Sequence, residues 1–150
     1  MEMKLYEELR CDIGGVALFE PEVYTAATYT GGWLGVHAYE KMMFLVVLGS
    51  ANDADATIDI DVMEATSAAG AGAQVLKSGT TITAGAGFAT YDGLVLAHVE
   101  IPEMSVNTGY THLTLRFTIS TGDTWAVCVI PIREEREWLL HPGTWTQLID

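Results

Sequence analysis

The stretch Asn52-Asp53-Ala54-Asp55-Ala56-Thr57-Ile58-Asp59-Ile60-Asp61-Val62-Met63-Glu64-Ala65 decides how this chain is read. Counted from Asp53, oxygen-bearing side chains fall at the first, third, fifth, seventh, ninth and twelfth places: Asp53, Asp55, Thr57, Asp59, Asp61 and Glu64. That is the ligand spacing of a helix-loop-helix calcium loop. Such a loop needs glycine at its sixth place, where the chain turns sharply so that the oxygens converge. Here the sixth place is Ile58, and a β-branched residue cannot take that turn cheaply. From Thr57 to Val62 polar and apolar residues alternate strictly, the mark of a strand with one face buried and one face wet. On a strand Asp59 and Asp61 line one face and do not wrap an ion.

The same alternation runs outward in both directions. Residues 41–48, Lys-Met-Met-Phe-Leu-Val-Val-Leu, are apolar nearly throughout and predict a central strand covered on both faces, stopping at the turn Gly49-Ser50-Ala51-Asn52. After residue 65 comes a small-residue loop, residues 67–73, then a short strand pair over residues 74–83 turning at Ser78-Gly79. Ala84-Gly85-Ala86-Gly87 is a second flexible loop, and residues 94–101 form a strand closed by Pro102. Residues 112–119 place Leu113, Leu115, Phe117 and Ile119 on one face, with Thr114, Arg116 and Thr118 on the other. Ser120-Thr121-Gly122-Asp123 predicts a hairpin turn, with residues 124–132 returning as the partner strand. Short strands, Gly-rich turns and no helical period between them predict an all-β fold: an antiparallel β-sandwich or jelly roll with N- and C-terminal arms.

Length sets one domain, residues 1–150, with residues 1–15 as an N-terminal arm and residues 134–150 as an apolar C-terminal tail. Residues 134–140, EEREWLL, are the one credible helical turn late in the chain. Twenty acidic against seven basic residues give a net charge of −13, which argues against nucleic acid or an anionic membrane as partner. The first ten residues lack the apolar core of a secretion signal and no apolar run is long enough to span a bilayer, so a cytoplasmic setting, or something assembled there, is expected. Cys11 and Cys128 lie far apart without a CxxC, and nothing in their spacing requires or forbids a disulfide.

Catalytic signals are sparse. Gly70-Ala71-Gly72 and Gly85-Ala86-Gly87 begin like a dinucleotide fingerprint but have Val75 and Thr90 at the sixth place and no βαβ setting, so they read as flexible turns. His37, His98, His112 and His141 are scattered; His98 and His112 could meet across a sheet, but isolated histidines in sandwiches are more often boundary residues than metal ligands. Asp92, His98 and Ser105 make no triad without geometry, and solvation explains Asp59 and Asp61 better than a glycosidase acid pair does. The expectation is a non-enzymatic protein with no cofactor and no metal.

The order of features carries a resemblance. Val16-Ala17-Leu18-Phe19-Glu20-Pro21 is followed by the Thr-rich residues 24–30 and by Gly31-Gly32-Trp33-Leu34-Gly35-Val36-His37-Ala38-Tyr39. Then come the apolar strand ending at Leu48-Gly49, the Ile-Asp-Ile strand ending at Glu64-Ala65, and a Gly-Ala-Gly loop leading to Gln74-Val75-Leu76-Lys77. Gly109-Tyr110-Thr111-His112-Leu113 opens the late strand pair. Over residues 16–133 this pattern resembles the decoration or cement proteins of tailed bacteriophages and the related head proteins of gene transfer agents. The resemblance implies a sandwich on the outside of a capsid, bound to the major capsid protein, often as a homotrimer over a local three-fold axis. Its expected location is the virion surface, after assembly in the host cytoplasm. A protein of that kind works by burying apolar area on a repeated surface, at about 25 cal/mol per Å² before association costs. Tyr6 in the N-terminal arm and Trp138, Leu139, Trp145 and Leu148 in the tail are the candidate capsid or subunit contacts. The competing reading is that the tail caps its own sandwich. The alternative function is a carbohydrate- or cell-surface-binding module of a phage tail fibre, stacking sugars on Tyr29, Trp33, Tyr39 and Trp125.

Overall fold

The computed structural model describes residues 18–36, 39–79, 81–85, 93–100, 103–105 and 108–135, with the backbone alone for residues 39, 40, 93–96, 98, 100, 134 and 135. The strands are β1 (Phe19–Thr25), β2 (Thr28–Thr30), β3 (Leu34–Gly35), β4 (Tyr39–Ala51), β5 (Thr57–Ala65), β6 (Gln74–Ser78), β7 (Ile82–Thr83), β8 (Gly93–Glu100), β9 (His112–Ile119) and β10 (Thr124–Glu135). They form two sheets, one in the order β1-β10-β4-β8 and one in the order β2-β9-β5-β6, with β3 also on β9 and β7 also on β5.

Two of the edges are single strands that break in the middle. β2 and β3 pair with β9 at Arg116–Thr118 and at His112–Leu113 in turn, and the Gly31 amide between them donates to Leu115 O at 3.1 Å. β6 and β7 run along β5 in the same way, and the Gly79 amide between them donates to Ile60 O at 2.8 Å. A Cβ on Gly79 would sit 2.1 Å from that oxygen, so only glycine lets the edge stay this close. The expected strand pair turning at Ser78-Gly79 is therefore corrected: both pieces pair with β5, not with each other.

With the broken edges joined, ten strands occupy eight positions. The antiparallel neighbours β5 with β6/β7, β4 with β8, β9 with β2/β3 and β10 with β1 describe one long ribbon folded at the loop after β5. Rolling that ribbon brings β10 against β4 and β9 against β5, which is the jelly roll, so the expected all-β class is borne out. The predicted β9–β10 hairpin is not. Ser120-Thr121-Gly122-Asp123 is a turn, closed by Asp123 N to Ser120 O at 3.1 Å, but it carries the chain from one sheet to the other. Ser120 fixes this corner, its hydroxyl accepting from Thr57 N at 2.9 Å. A turn signal reports a reversal and is silent on whether the next strand lands beside the last or across the core.

Between the sheets lies one apolar layer. β4 contributes Met42, Phe44, Val46 and Leu48, β10 Trp125, Val127 and Val129, β5 Ile58, Ile60 and Val62, and β9 Leu113, Leu115, Phe117 and Ile119. Phe117 is ringed by Phe19, Tyr24 and Tyr29 at centroid distances of 4.8, 5.2 and 5.1 Å. The late helical turn is corrected in part: Glu134 and Glu135 continue β10, opposite Lys41 and Tyr39, while residues 136–140 lie outside the described residues. Pro131 is tolerated inside β10 because of where its missing N–H falls. Leu18 N donates to Val129 O at 2.8 Å, so Val129 and, two residues on, Pro131 turn their backbone groups to the β1 side, past the end of β1.

Candidate docking face

The alternation of β4 leaves half of its apolar residues pointing away from the core. Met43, Leu45 and Val47 face outward, with Ile132, Ile130 and Cys128 of β10 directly opposite them in register. All six are half-buried. The expectation that residues 41–48 are covered on both faces is thus corrected: β4 is central in its sheet, but only Met42, Phe44, Val46 and Leu48 are fully enclosed. Uninterrupted apolar character cannot distinguish a second protein layer from an apolar surface. Lys41, opposite Glu134 and Glu100, closes this apolar field at one end.

At the other end two register breaks shape a hollow. β1 shifts against β10 between Phe19 and Glu22, and β10 shifts against β4 between Trp125 and Val127. Bulges of this kind bend a strand and re-aim its side chains. Between them opens a hollow of about 300 Å³ whose wall includes Val23, Val47, Gly49, Ala126 and Cys128 and also the carboxylate-bearing Glu22. Gly49 and Ala126 keep it wide, and Val23 stands 64% exposed at its rim.

The outer face of the second sheet has the opposite character. Asp59 and Asp61 point to solvent from β5, as the opening stretch requires, across from Thr118 and Arg116 of β9. Arg116 Nη2 meets Asp61 Oδ2 at 2.6 Å, Asp59 accepts from Thr81, and the Thr28 and Thr118 hydroxyls lie 3.0 Å apart. Asp61 is held by a guanidinium and Asp59 accepts from a hydroxyl. Among the described residues no group of three or more His, Cys, Asp or Glu is placed to hold a metal ion.

Glu64 departs from this arrangement. It shares the inward side of β5 with Ile58, Ile60 and Val62 and is 1% exposed. Its carboxylate accepts from Gln74 Nε2 at 2.6 Å, Ser105 N at 2.9 Å and Ser105 Oγ at 2.8 Å. Charge-assisted hydrogen bonds of this kind are about twice as strong as neutral ones and make burial of the carboxylate tolerable. Glu64 therefore ties β6 and the segment before β9 to the end of β5. Glu64 falls at the twelfth place of the calcium spacing, and its parity with Ile58, Ile60 and Val62 is the signal in the sequence that it turns inward. Ser105, named beside Asp92 and His98, spends its hydroxyl on Glu64.

The Gly70-Ala71-Gly72 loop is tied to its neighbours by hydrogen bonds. Thr66 N donates to Ala71 O at 2.9 Å and Tyr110 Oη to Gly72 O at 3.1 Å. Gly70, at φ 76°, packs so close to the Trp33 indole that a Cβ would stand 2.4 Å from Nε1. Of the proposed sugar-stacking aromatics, Trp125 is fully buried with Nε1 donating to Gly49 O at 3.0 Å, Tyr29 stacks on Phe117, and Trp33 lies against Gly70. These three share no exposed platform, and the side chain of Tyr39 is not described. Tyr6, Trp138, Leu139, Trp145 and Leu148 lie outside the described residues, as do Cys11, His37 and His141. Cys128 is a free, half-buried thiol.

No protein family matches this chain, and no curated protein matches it in sequence. In fold it is similar to chains of icosahedral viral particles. One comes from the T13 particle of infectious bursal disease virus, with a TM-score of 0.51, 10% identity, and coverage of 80% of this chain and 30% of that one. A second, from the Gx strain of the same virus, gives 0.51, 10%, 80% and 31%. A third, from T=1 particles derived from infectious bursal virus, gives 0.52, 8%, 80% and 31%. This chain spans under a third of the length of those chains. At such identity the likeness is one of fold: a β-sandwich that also serves in chains of viral particles.

Proposed function

We propose that this protein is a structural component of a virion, a jelly-roll domain that decorates the outside of a tailed-phage capsid and stabilises the head. The observation that carries the proposal is the two-sidedness of the sandwich at its central strands: apolar outward residues on β4 and β10, and Asp59, Asp61, Arg116 and Thr118 on β5 and β9. The apolar face turns toward the shell and the acidic face toward solvent, where the chain's net charge of −13 keeps unassembled copies apart. Similarity in fold to chains of icosahedral particles supports a virion role.

The size of the face indicates how it is used. Two strands about 4.8 Å apart over about five residues of roughly 3.3 Å each give a footprint of about 160 Å². A stable pairwise interface buries about 800 Å² on each partner. One copy on this face alone falls short, so attachment is shared among copies, as in a homotrimer over a local three-fold axis of the major capsid protein, with residues 1–15 and those beyond Glu135 as arms of a single domain. Capsids assemble in the host cytoplasm and take up this protein on their surface.

The test is co-sedimentation of the purified chain with particles assembled without it, beside a glycan array. Saturable binding at a fixed number of copies per particle, with no glycan bound, supports the proposal. Glycan binding without particle binding replaces it with the tail-fibre module.

A further inference from the structure

We infer that the hollow between β1, β10 and β4 receives a basic side chain, lysine or arginine, of a partner protein, its methylene stem against Val23, Val47 and Ala126 and its cationic head toward Glu22. The wall of the hollow has two chemistries. Val23, Val47 and Ala126 are apolar and Gly49 adds no side chain, so a stem of methylenes is covered there without leaving a polar group unpaired. Glu22 belongs to the same wall, and a purely apolar occupant would strip water from its carboxylate and offer nothing in return. A long cationic side chain answers both.

The charges around the hollow have one sign. At this end of the sheet the described residues 18–27, 47–56 and 120–128 contain Glu20, Glu22, Asp53, Asp55 and Asp123 and no Lys or Arg. Asp53 accepts from Ala54 N and Asp123 from the Ser120 hydroxyl, whereas Glu20 and Glu22 have no cation partner among the described residues. Burial first, then Glu22, Glu20 and Cys128, push the Tyr24 phenol above its ordinary value, so both carboxylates gather about one hydroxyl together with a thiol that lines the hollow. The described cations of the same sheet stand at its other end: Arg133 lies roughly 17 Å along β10 from Cys128, and Lys41 roughly 20 Å along β4 from Val47, at ~3.3 Å per residue. A partner's cation therefore relieves a repulsion that the described part of the chain leaves in place. The net charge of −13 works against a second copy of this chain as that partner. The inference rests on the docking-face reading for its partner and adds that partner's chemistry.

Two measurements on the full chain test it, and Glu22 is exposed, so its variants leave the core alone. In amide NMR spectra, N-acetyl-arginine methylamide should shift the backbone amides of Val23, Val47, Gly49 and Cys128, and Glu22→Gln should weaken that binding about threefold, the scale of an exposed ion pair. N-acetyl-norleucine methylamide, a stem without the charge, should bind more weakly by a similar factor. Equal binding of the two probes would give the hollow to an apolar occupant and overturn the inference. Arginine shifts spread evenly over Asp53, Asp55, Asp59 and Asp123 would overturn it in favour of surface charge alone. No response at the hollow, as when Lys4, Arg10 or Arg136 of the chain itself already fills it, overturns it outright. In sedimentation with particles assembled without this protein, Glu22→Gln should lower affinity about threefold and Glu22→Lys about tenfold, while Asp53→Asn leaves it unchanged. Particle binding indifferent to both Glu22 variants overturns this inference and leaves the docking face standing. A hollow that takes the arginine probe on a chain that binds no particle supports the hollow's chemistry and overturns the shell reading alone.

Discussion

The two outer faces of this sandwich are built on the same strand geometry and differ in one respect, what the outward residues are. On β5 and β9 the outward positions carry Asp59, Asp61, Arg116 and Thr118; on β4 and β10 they carry Met43, Leu45, Val47, Cys128, Ile130 and Ile132. On the first face Asp61 pairs with Arg116 and Thr28 with Thr118, while Met63 and Thr114, opposite each other on the same side, are buried. The second has nothing to pair and gains only by being covered. A jelly roll whose two faces differ this way is oriented before it meets anything.

The comparison breaks most directly if a charge on each face has the same effect. Ile130→Asp should cost about 2 kcal/mol or more of particle binding, a loss of roughly thirtyfold or more, because it places an unpaired charge amid apolar contacts. Thr118→Asp, on the wet face, should leave the binding curve where it was. Equal losses in a sedimentation titration would mean that the apolar face is not the docking side.

Glu64 sharpens the contrast from within. It is the one acid of β5 turned inward, so Glu64→Ala should behave as a core change, lowering unfolding free energy by about 1–3 kcal/mol as the donors of Ser105 and Gln74 lose their acceptor. Urea melts of Glu64→Ala beside Asp59→Ala measure this, and a similar midpoint for both would contradict the inward placement. Smaller still is the Asp61–Arg116 pair. A double-mutant cycle should return about 1 kcal/mol or less, since the side chains are 18% and 30% exposed and water screens them.

The smallest expected effect is in alkali. Burial, then the charge of Glu22 beside it, pushes the Tyr24 phenol above its ordinary value. Unfolded chains release that proton first, at about pH 10, so the folded state binds more protons above that pH and stability falls as pH rises through the folded value. Tyr24→Phe should flatten that decline in melts taken between neutral and alkaline pH, without restoring stability below pH 10. An unchanged slope would locate the titration elsewhere.

Much of the strand content was legible, for a local reason. Thr57-Ile58-Asp59-Ile60-Asp61-Val62 alternates with period two, and a β-branched residue at the sixth place excludes the calcium turn whatever surrounds it. The face of β9 followed from Leu113, Leu115, Phe117 and Ile119 in the same way. The site was less legible. Glu64 looked like its neighbouring acids because charge is visible in a sequence and the identity of a hydrogen-bond donor forty-one residues away, Ser105, is not.

By itself, then, the sequence determined which residues extend, which side of each strand is apolar and where the chain reverses, because those depend on sterics and transfer energies acting within a few residues. Only the tertiary structure decided that the turn at Ser120–Asp123 crosses the core, that Gly79 continues an edge, and that β4 shows its second apolar side to the outside. Pairing partners and the cover over a face depend on what the rest of the chain brings within a few ångströms, which no local pattern encodes.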